Sequence, residues 1–282
     1  MWFFILTISW VLLYRWVNPP TTYLQLRERI QCPEGKVFHK EWVDSEHISL
    51  YMKLAVVASE DNNFMKHNGF DWGAIEKAKK YNASHKRTRG ASTISQQTAK
   101  NVFLWPQRSW LRKGMEVYFT FLIETLWSKE RIMEVYLNVL ETGQCKFGVE
   151  AAAQDYFHCS AAKLTRAQAA LIAAALPDPR RRNPAKPTNY LAGRRDKIVN
   201  LMRLIGENYF ERYGSDFSSE ERAKEEKEAD EKIKKLPQDE LPEKEEYKDE
   251  VEADSSSSPA VSEPEQDLQV PIQEPIDTTK GG

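Results

Sequence analysis

Three stretches of the chain hold side chains whose types and spacing suit chemistry on sugar hydroxyls or phosphates. In residues 109–127, Arg112 and Glu116 stand four apart, and Lys113 lies one turn from Glu116 on the other side. A helix would therefore gather two cations around one carboxylate. An ordinary surface salt bridge has the same spacing. Residues 91–104, ASTISQQTAKNVFL, begin with Ser92 and Thr93, either of which can cap a helix, and continue through Gln96, Gln97, Lys100 and Asn101 on adjacent turns. Amides with one ammonium suit sugar hydroxyls and a phosphate, and equally a solvated helix face. Residues 79–90, KKYNASHKRTRG, read as an exposed loop or flap whose cations Lys79, Lys80, Lys86, Arg87 and Arg89 face a membrane, a pyrophosphate or water.

Positioning such groups requires a mainly helical body. From residue 49 to 210 the pattern is helical with polar loops, and only residues 36–43, KVFHKEWV, look strand-like. On the helix over 109–127, Leu111, Met115, Tyr118, Leu122 and Leu126 form the expected buried stripe, with Arg112 and Glu116 on its flank. No glycine-rich phosphate loop follows a strand, so dinucleotide-binding and P-loop folds have no support. Internal repeats are absent.

The 282 residues suffice for one sizeable domain with a remainder. A net charge of -2 conceals a division: residues 215–282 hold 22 acidic and 9 basic side chains, a net of -13, which leaves +11 on residues 1–214. That excess favours anionic partners. The segment 215–282 is too poor in apolar residues to offset its ordering entropy and reads as an acidic disordered tail, with one charged helix at 219–235.

Residues 1–17, MWFFILTISWVLLYRWV, are almost wholly apolar with aromatic residues near both ends. At about 1.5 Å per residue they span about 25 Å, a little short of a hydrocarbon core of about 30 Å. A retained transmembrane anchor is expected rather than a cleaved signal peptide, because no basic flank and no small-x-small site precede Pro19 and Pro20. The missing flank, which a longer native N-terminus would supply, leaves orientation unreadable from the positive-inside rule. Cys32, Cys145 and Cys159 lack metal-ligand spacing and read as small buried side chains; if a disulfide forms, Cys145 with Cys159 is the expected pair.

Four blocks occurring in order then resemble the successive motifs of the peptidoglycan glycosyltransferases, glycosyltransferase family 51, the transglycosylase domain of penicillin-binding proteins. They are EDNNFMKHNGFD (60–71), GASTISQQTAKN (90–101), RSWLRKGME (108–116) and RIMEVYLN (131–138). The resemblance continues through FGVEAAAQDYF (147–157) and LTRAQAALIAAALPDPRRRNP (164–184). Ala91, where bifunctional relatives carry a second glycine, makes the chain look like the monofunctional biosynthetic transglycosylases, and no transpeptidase motif set follows. Pro177 stands where bifunctional members carry a pyrophosphate-binding lysine, which leaves Arg180, Arg181 or Arg182 to supply that charge.

The resemblance implies a lysozyme-like, mainly α-helical domain at 45–214 with a small membrane-associated jaw, an anchor at 1–17 and a linker at 18–44. It implies polymerisation of lipid II on the extracytoplasmic face of the bacterial plasma membrane. Glu60 is then the general base and Glu116 the second essential carboxylate. Thr93, Gln97, Lys100, Asn101, Arg112 and Lys113 contact substrate, with the cations Lys100, Arg112 and Lys113 at the pyrophosphate. Glu116 either orients these cations or binds a divalent ion, magnesium or manganese; no organic cofactor is implied. Asp61, Phe64 and His67 are expected to shape the first loop, and Glu134, Tyr136 and Asn138 to be structural, with Asn138 bracing the cleft wall. Partners implied are the lipid-linked glycan, the membrane and other cell-wall synthesis proteins, not nucleic acid. A lysozyme-like hydrolase and an inactive cell-wall scaffold are the alternatives.

Overall fold

The computed structural model describes residues 1–85, 88–107, 109–213, 219–237 and 240–242. Lys86 and Arg87 of the basic segment, Arg108 of the third motif and most of the acidic tail, including all of 243–282, lie outside them, as does the disorder expected there. The expected mainly helical architecture is present, with eleven α-helices among the described residues.

An N-terminal helix α1 (Trp2–Trp16) and a short α2 (Tyr23–Gln31) lead to a strand β1 (His39–Lys40). Then follow α3 (Leu50–Glu60), α4 (Trp72–Ser84), α5 (Ile94–Phe103), α6 (Trp110–Leu126) and α7 (Lys129–Val139). Strands β2 (Glu141–Gly143) and β3 (Lys146–Phe147) precede α8 (Val149–Phe157), α9 (Arg166–Ala175), α10 (Asn189–Ile205) and α11 (Ser219–Lys234). The charged helix expected at 219–235 is therefore α11.

One half of the core is α3 packed on α9 and α10. The run of alanines at 173–175 leaves little side-chain bulk on α9, so Val56 and Val57 of α3 become fully buried against neighbouring backbone. The other half is α5 packed on α6 and α7.

The strand expected over 36–43 shrinks to two residues in a three-stranded sheet ordered β1-β3-β2, with β1 parallel to β3. Asn138 explains the shortening. Its Oδ1 accepts from the Val43 amide (2.8 Å) and its Nδ2 donates to the Val43 carbonyl (2.8 Å), so a buried side chain takes the place of a strand partner.

The cysteine pairing departs from expectation. Cys32 and Cys145 form the disulfide, with Cα atoms 5.9 Å apart, and Cys159 is free and half-buried. Cys145 occupies the β2–β3 turn at φ 62°, and its carbonyl accepts from His39 N (2.9 Å), which draws the turn to the segment after α2. Cys159 follows the C-terminus of α8, away from that turn. A cross-link over 113 residues removes much denatured-state freedom, so Cys32→Ser is expected to cost about 2–5 kcal/mol. This reads out as a melting temperature lower by about 5–15 °C; an unchanged melt would show that the bond does not form in solution.

Two further expectations are corrected. The basic segment 79–90 is not all loop: α4 runs through Ser84, because residues 72–84 have no proline and their only glycine lies in the first turn. The buried stripe of α6 is also shifted: of its expected members Leu122 is buried and Met115, Tyr118 and Leu126 are half-buried against the core, but Leu111 is not. Leu111 is 69% exposed, whereas Arg112, Glu116, Phe119 and Ile123 are buried with the i, i+4, i+7, i+11 spacing. The carboxylate and its guanidinium face the protein, and Trp110, Leu111, Val117 and Phe121 face out.

Among the described residues no helix is long and apolar enough to cross a membrane. The 15-residue α1 is about 22 Å long. It is held to the body at three points. Thr7 Oγ1 lies 2.8 Å from the Tyr118 hydroxyl, Trp127 Nε1 donates to Val11 O (2.8 Å), and Arg131 donates to the carbonyls of Tyr14 and Val17 (3.0 and 3.1 Å). Arg131 thereby satisfies terminal carbonyls of α1 and places a cation at the negative end of its dipole.

Candidate active site

The site forms where α3 ends and α5 begins. Glu60 is the last residue of α3 and Asp61 its C-cap, and the two carboxylates turn toward the first turns of α5. Asp61 Oδ2 accepts from Ile94 N (3.0 Å), at the positive end of that helix. Asp61 Oδ1 lies 2.9 Å from His67 Nε2, and because His67 Nδ1 accepts from Gly69 N (3.1 Å), Nε2 carries the proton. Phe64 is fully buried beneath the same loop. Asp61, Phe64 and His67 thus hold the loop, as expected.

Glu60 is 7% exposed and accepts two hydrogen bonds, from Gln97 Nε2 at Oε2 (3.0 Å) and from Ser59 Oγ at Oε1 (3.2 Å). Gln97 is oriented in turn by the Tyr136 hydroxyl, which donates to its Oε1 (3.4 Å). Burial raises the Tyr136 phenol well above its ordinary range, and the charges of Glu60 and Asp61 push the same way, so it stays a donor. Tyr136 was expected to be structural, and its bond to Gln97 was not readable in its motif.

Thr93 caps α5 and is fully buried. Its hydroxyl donates to Gly69 O (2.6 Å) and accepts from Gln96 N (3.1 Å), so both functions are engaged within the protein. Gly69 has φ +89°, and a Cβ there would lie 2.8 Å from Thr120 Cγ2. Only glycine lets this loop approach α6. Lys100 and Asn101 follow on the next turn of α5, both half-buried.

The second carboxylate stands on α6. Glu116 is 4% exposed, with Lys113 Nζ 2.5 Å from Oε1 and Arg112 Nη1 3.6 Å from Oε2. Arg112 is itself 8% exposed, and its Nε and Nη1 have no hydrogen-bond partner. Buried guanidinium N–H groups left without acceptors are costly unless a ligand supplies them. Both Glu116 oxygens face cations, and among the described residues no group of three or more His, Cys, Asp or Glu could hold a metal ion. These donors do not fit a protein-held divalent ion at Glu116; they fit a carboxylate that orients two cations.

Of the arginines proposed to replace the missing lysine, Arg180 is bound by Glu28 (2.9 Å) and Glu141 (2.7 Å), Arg182 packs over Tyr190, and Arg181 is exposed. All three line a cavity of about 670 Å³ that shares no lining residue with the one of about 530 Å³ at Glu60.

Glu60 at the end of α3 bonds Gln97 of α5, and α5 packs on α6, which sets two cations around Glu116; such groups suit glycosyl or phosphate chemistry. The transglycosylase sequence profile matches residues 28–203. Similar proteins include the biosynthetic peptidoglycan transglycosylase of Bdellovibrio bacteriovorus, 56% identical over 201 residues, 70% of this chain and 80% of the relative. That of Bacteroides thetaiotaomicron is 53% identical over 208 residues, 73% and 84% of the two chains. That of Escherichia coli is 55% identical over 171 residues, 60% and 71%. The chain belongs to the family of biosynthetic peptidoglycan transglycosylases.

Proposed function

We propose that this transglycosylase polymerises lipid-linked cell-wall disaccharides. The 4-hydroxyl of an acceptor GlcNAc attacks C1 of the donor MurNAc, undecaprenyl pyrophosphate leaves, and a β-1,4 linkage forms with inversion. Glu60 takes the hydroxyl proton as the new bond forms. The bonds from Gln97 and Ser59 hold the carboxylate in one orientation, so no reorganisation is needed in the transition state.

The observation that carries this reading is Arg112, more than nine-tenths buried with unpartnered N–H groups beside Lys113. Two cations over one carboxylate leave a positive surplus that suits charge developing on a departing pyrophosphate. Lys100 adds to it from α5, Gln97 and Asn101 meet sugar, and Thr93 acts through the geometry of α5. A hydrolase of neutral polysaccharide has no use for that surplus at its leaving group.

The lysozyme-like domain over 45–214, with its jaw, works at the bilayer. The outward apolar face of α6 and the exposed Trp2, Phe3 and Phe4 of α1 support membrane association. In this reading residues 1–17 anchor the chain in a single pass and 18–44 link anchor to domain. The Cys32–Cys145 bond suits the oxidising extracytoplasmic side. With purified lipid II in detergent, glycan chains are expected from the protein alone; release of fragments from finished peptidoglycan, with no polymer from lipid II, would instead establish the hydrolase.

A further inference from the structure

The chain beyond the catalytic domain returns to the Glu60 side of the fold. Along one face of α11, Arg222 Nε donates to Arg212 O (2.8 Å), Glu225 accepts from Asn208 Nδ2 (2.7 Å), and Glu226 accepts from the Tyr213 hydroxyl (2.5 Å). Asp230 pairs with Lys66 (3.0 Å), in the loop that follows Glu60. Ile233 and Leu241 pack against the hydrophobic core. With Pro242 they line the 530 Å³ cavity whose other walls carry Glu60, Lys77 and Arg89.

Glu, Lys, Arg and Ala with opposite charges four apart favour a helix here, but one of 16 residues is only marginal alone. With Ala223, Ala229 and Ile233 as its apolar positions, docking adds to its order mostly through polar contacts. The docking contacts are mostly polar and partly exposed, which makes them reversible. The arm brings an acidic surplus to a cavity lined by Lys77, Lys80 and Arg89 as well as by Glu60, Asp61 and Asp71. Glu60 is the one residue of the proposed site in this lining, and a sugar hydroxyl that reaches it from this side passes Ile233, Leu241 and Pro242.

We propose that the C-terminal arm, described over residues 219–237 and 240–242, is an intramolecular cover that competes with the anionic lipid-linked glycan for the Glu60 side of the cleft. The proposal rests on the polymerase reading. It is tested in the full chain by Ile233→Asp with Leu241→Asp, two half-buried positions of the arm itself. Amide exchange within α11 is expected to rise at least about tenfold as docking is lost. The apparent KM for lipid II in detergent should fall about threefold with kcat unchanged, as a larger share of molecules becomes binding-competent. Saturating lipid II should likewise speed α11 exchange in the unsubstituted protein.

Faster exchange with an unchanged KM would overturn the proposal, and so would unchanged exchange in the variant. A raised KM would make the arm part of the substrate-binding wall and overturn it too. Absence of polymer from both proteins, with the exchange difference still present, would remove the polymerase reading and the proposal with it.

Discussion

Glu60→Gln is expected to lower lipid II polymerisation by at least about a hundredfold while leaving the thermal melt close to that of the unsubstituted protein. Glutamine has the same shape, and its Oε1 can still accept from Gln97 or Ser59, so the local packing survives. What it lacks is basicity: an amide cannot take the proton of the attacking hydroxyl. The loss should fall on kcat more than on KM, because proton transfer belongs to the transition state and not to ground-state binding. Near-normal turnover in this variant would take Glu60 out of the mechanism.

Arg112→Met separates catalysis from stability in the opposite sense. Methionine fills a similar buried volume without N–H groups, and it removes two that have no acceptor. Removing one partner of a buried ion pair is costly chiefly when the other charge is left uncompensated. Glu116 keeps Lys113, 2.5 Å away, as its partner. The melting temperature should therefore hold or rise. Turnover should fall by about 10²–10³-fold, the range seen when one preorganised charge stabiliser is removed. A variant that both unfolds more easily and retains activity would assign Arg112 to the scaffold and leave the leaving group to other residues.

Much of the site was legible because its members are close in sequence. Arg112, Lys113 and Glu116 share one helix, so helical periodicity alone brings them together. Thr93 and Gln97 are likewise a cap and the turn above it. The resemblance put Glu60 and Gln97 in one site but did not pair them; their hydrogen bond came only from the fold, since 37 residues separate them and no local pattern joins the end of one helix to the start of another.

The α6 stripe shows where periodicity falls short. The spacing of Leu111, Met115 and Tyr118 is helical, and so is that of Arg112, Glu116 and Phe119 one position on; hydrophobicity favoured the first set as the buried one. The fold buries the second and leaves Met115 and Tyr118 of the first half-buried against the core; the outward face is Trp110, Leu111, Val117 and Phe121, which the proposal takes to meet lipid. Hydrophobic patterning assumes water outside, and that assumption fails for a surface that meets a bilayer.

Helix periodicity and the ordered motifs by themselves determined a mainly helical chain of the transglycosylase family and, through the resemblance, proposed Glu60 and Glu116 as its carboxylates, because each of those signals is local. Tertiary structure alone decided that Cys32 bonds Cys145, that Asn138 stands in for a strand, that Tyr136 orients Gln97 and that the C-terminal arm borders the Glu60 cavity. Each of these joins segments between 39 and more than 100 residues apart. Such contacts depend on where the chain's turns bring distant backbone together, which the spacing of residues along one element does not encode.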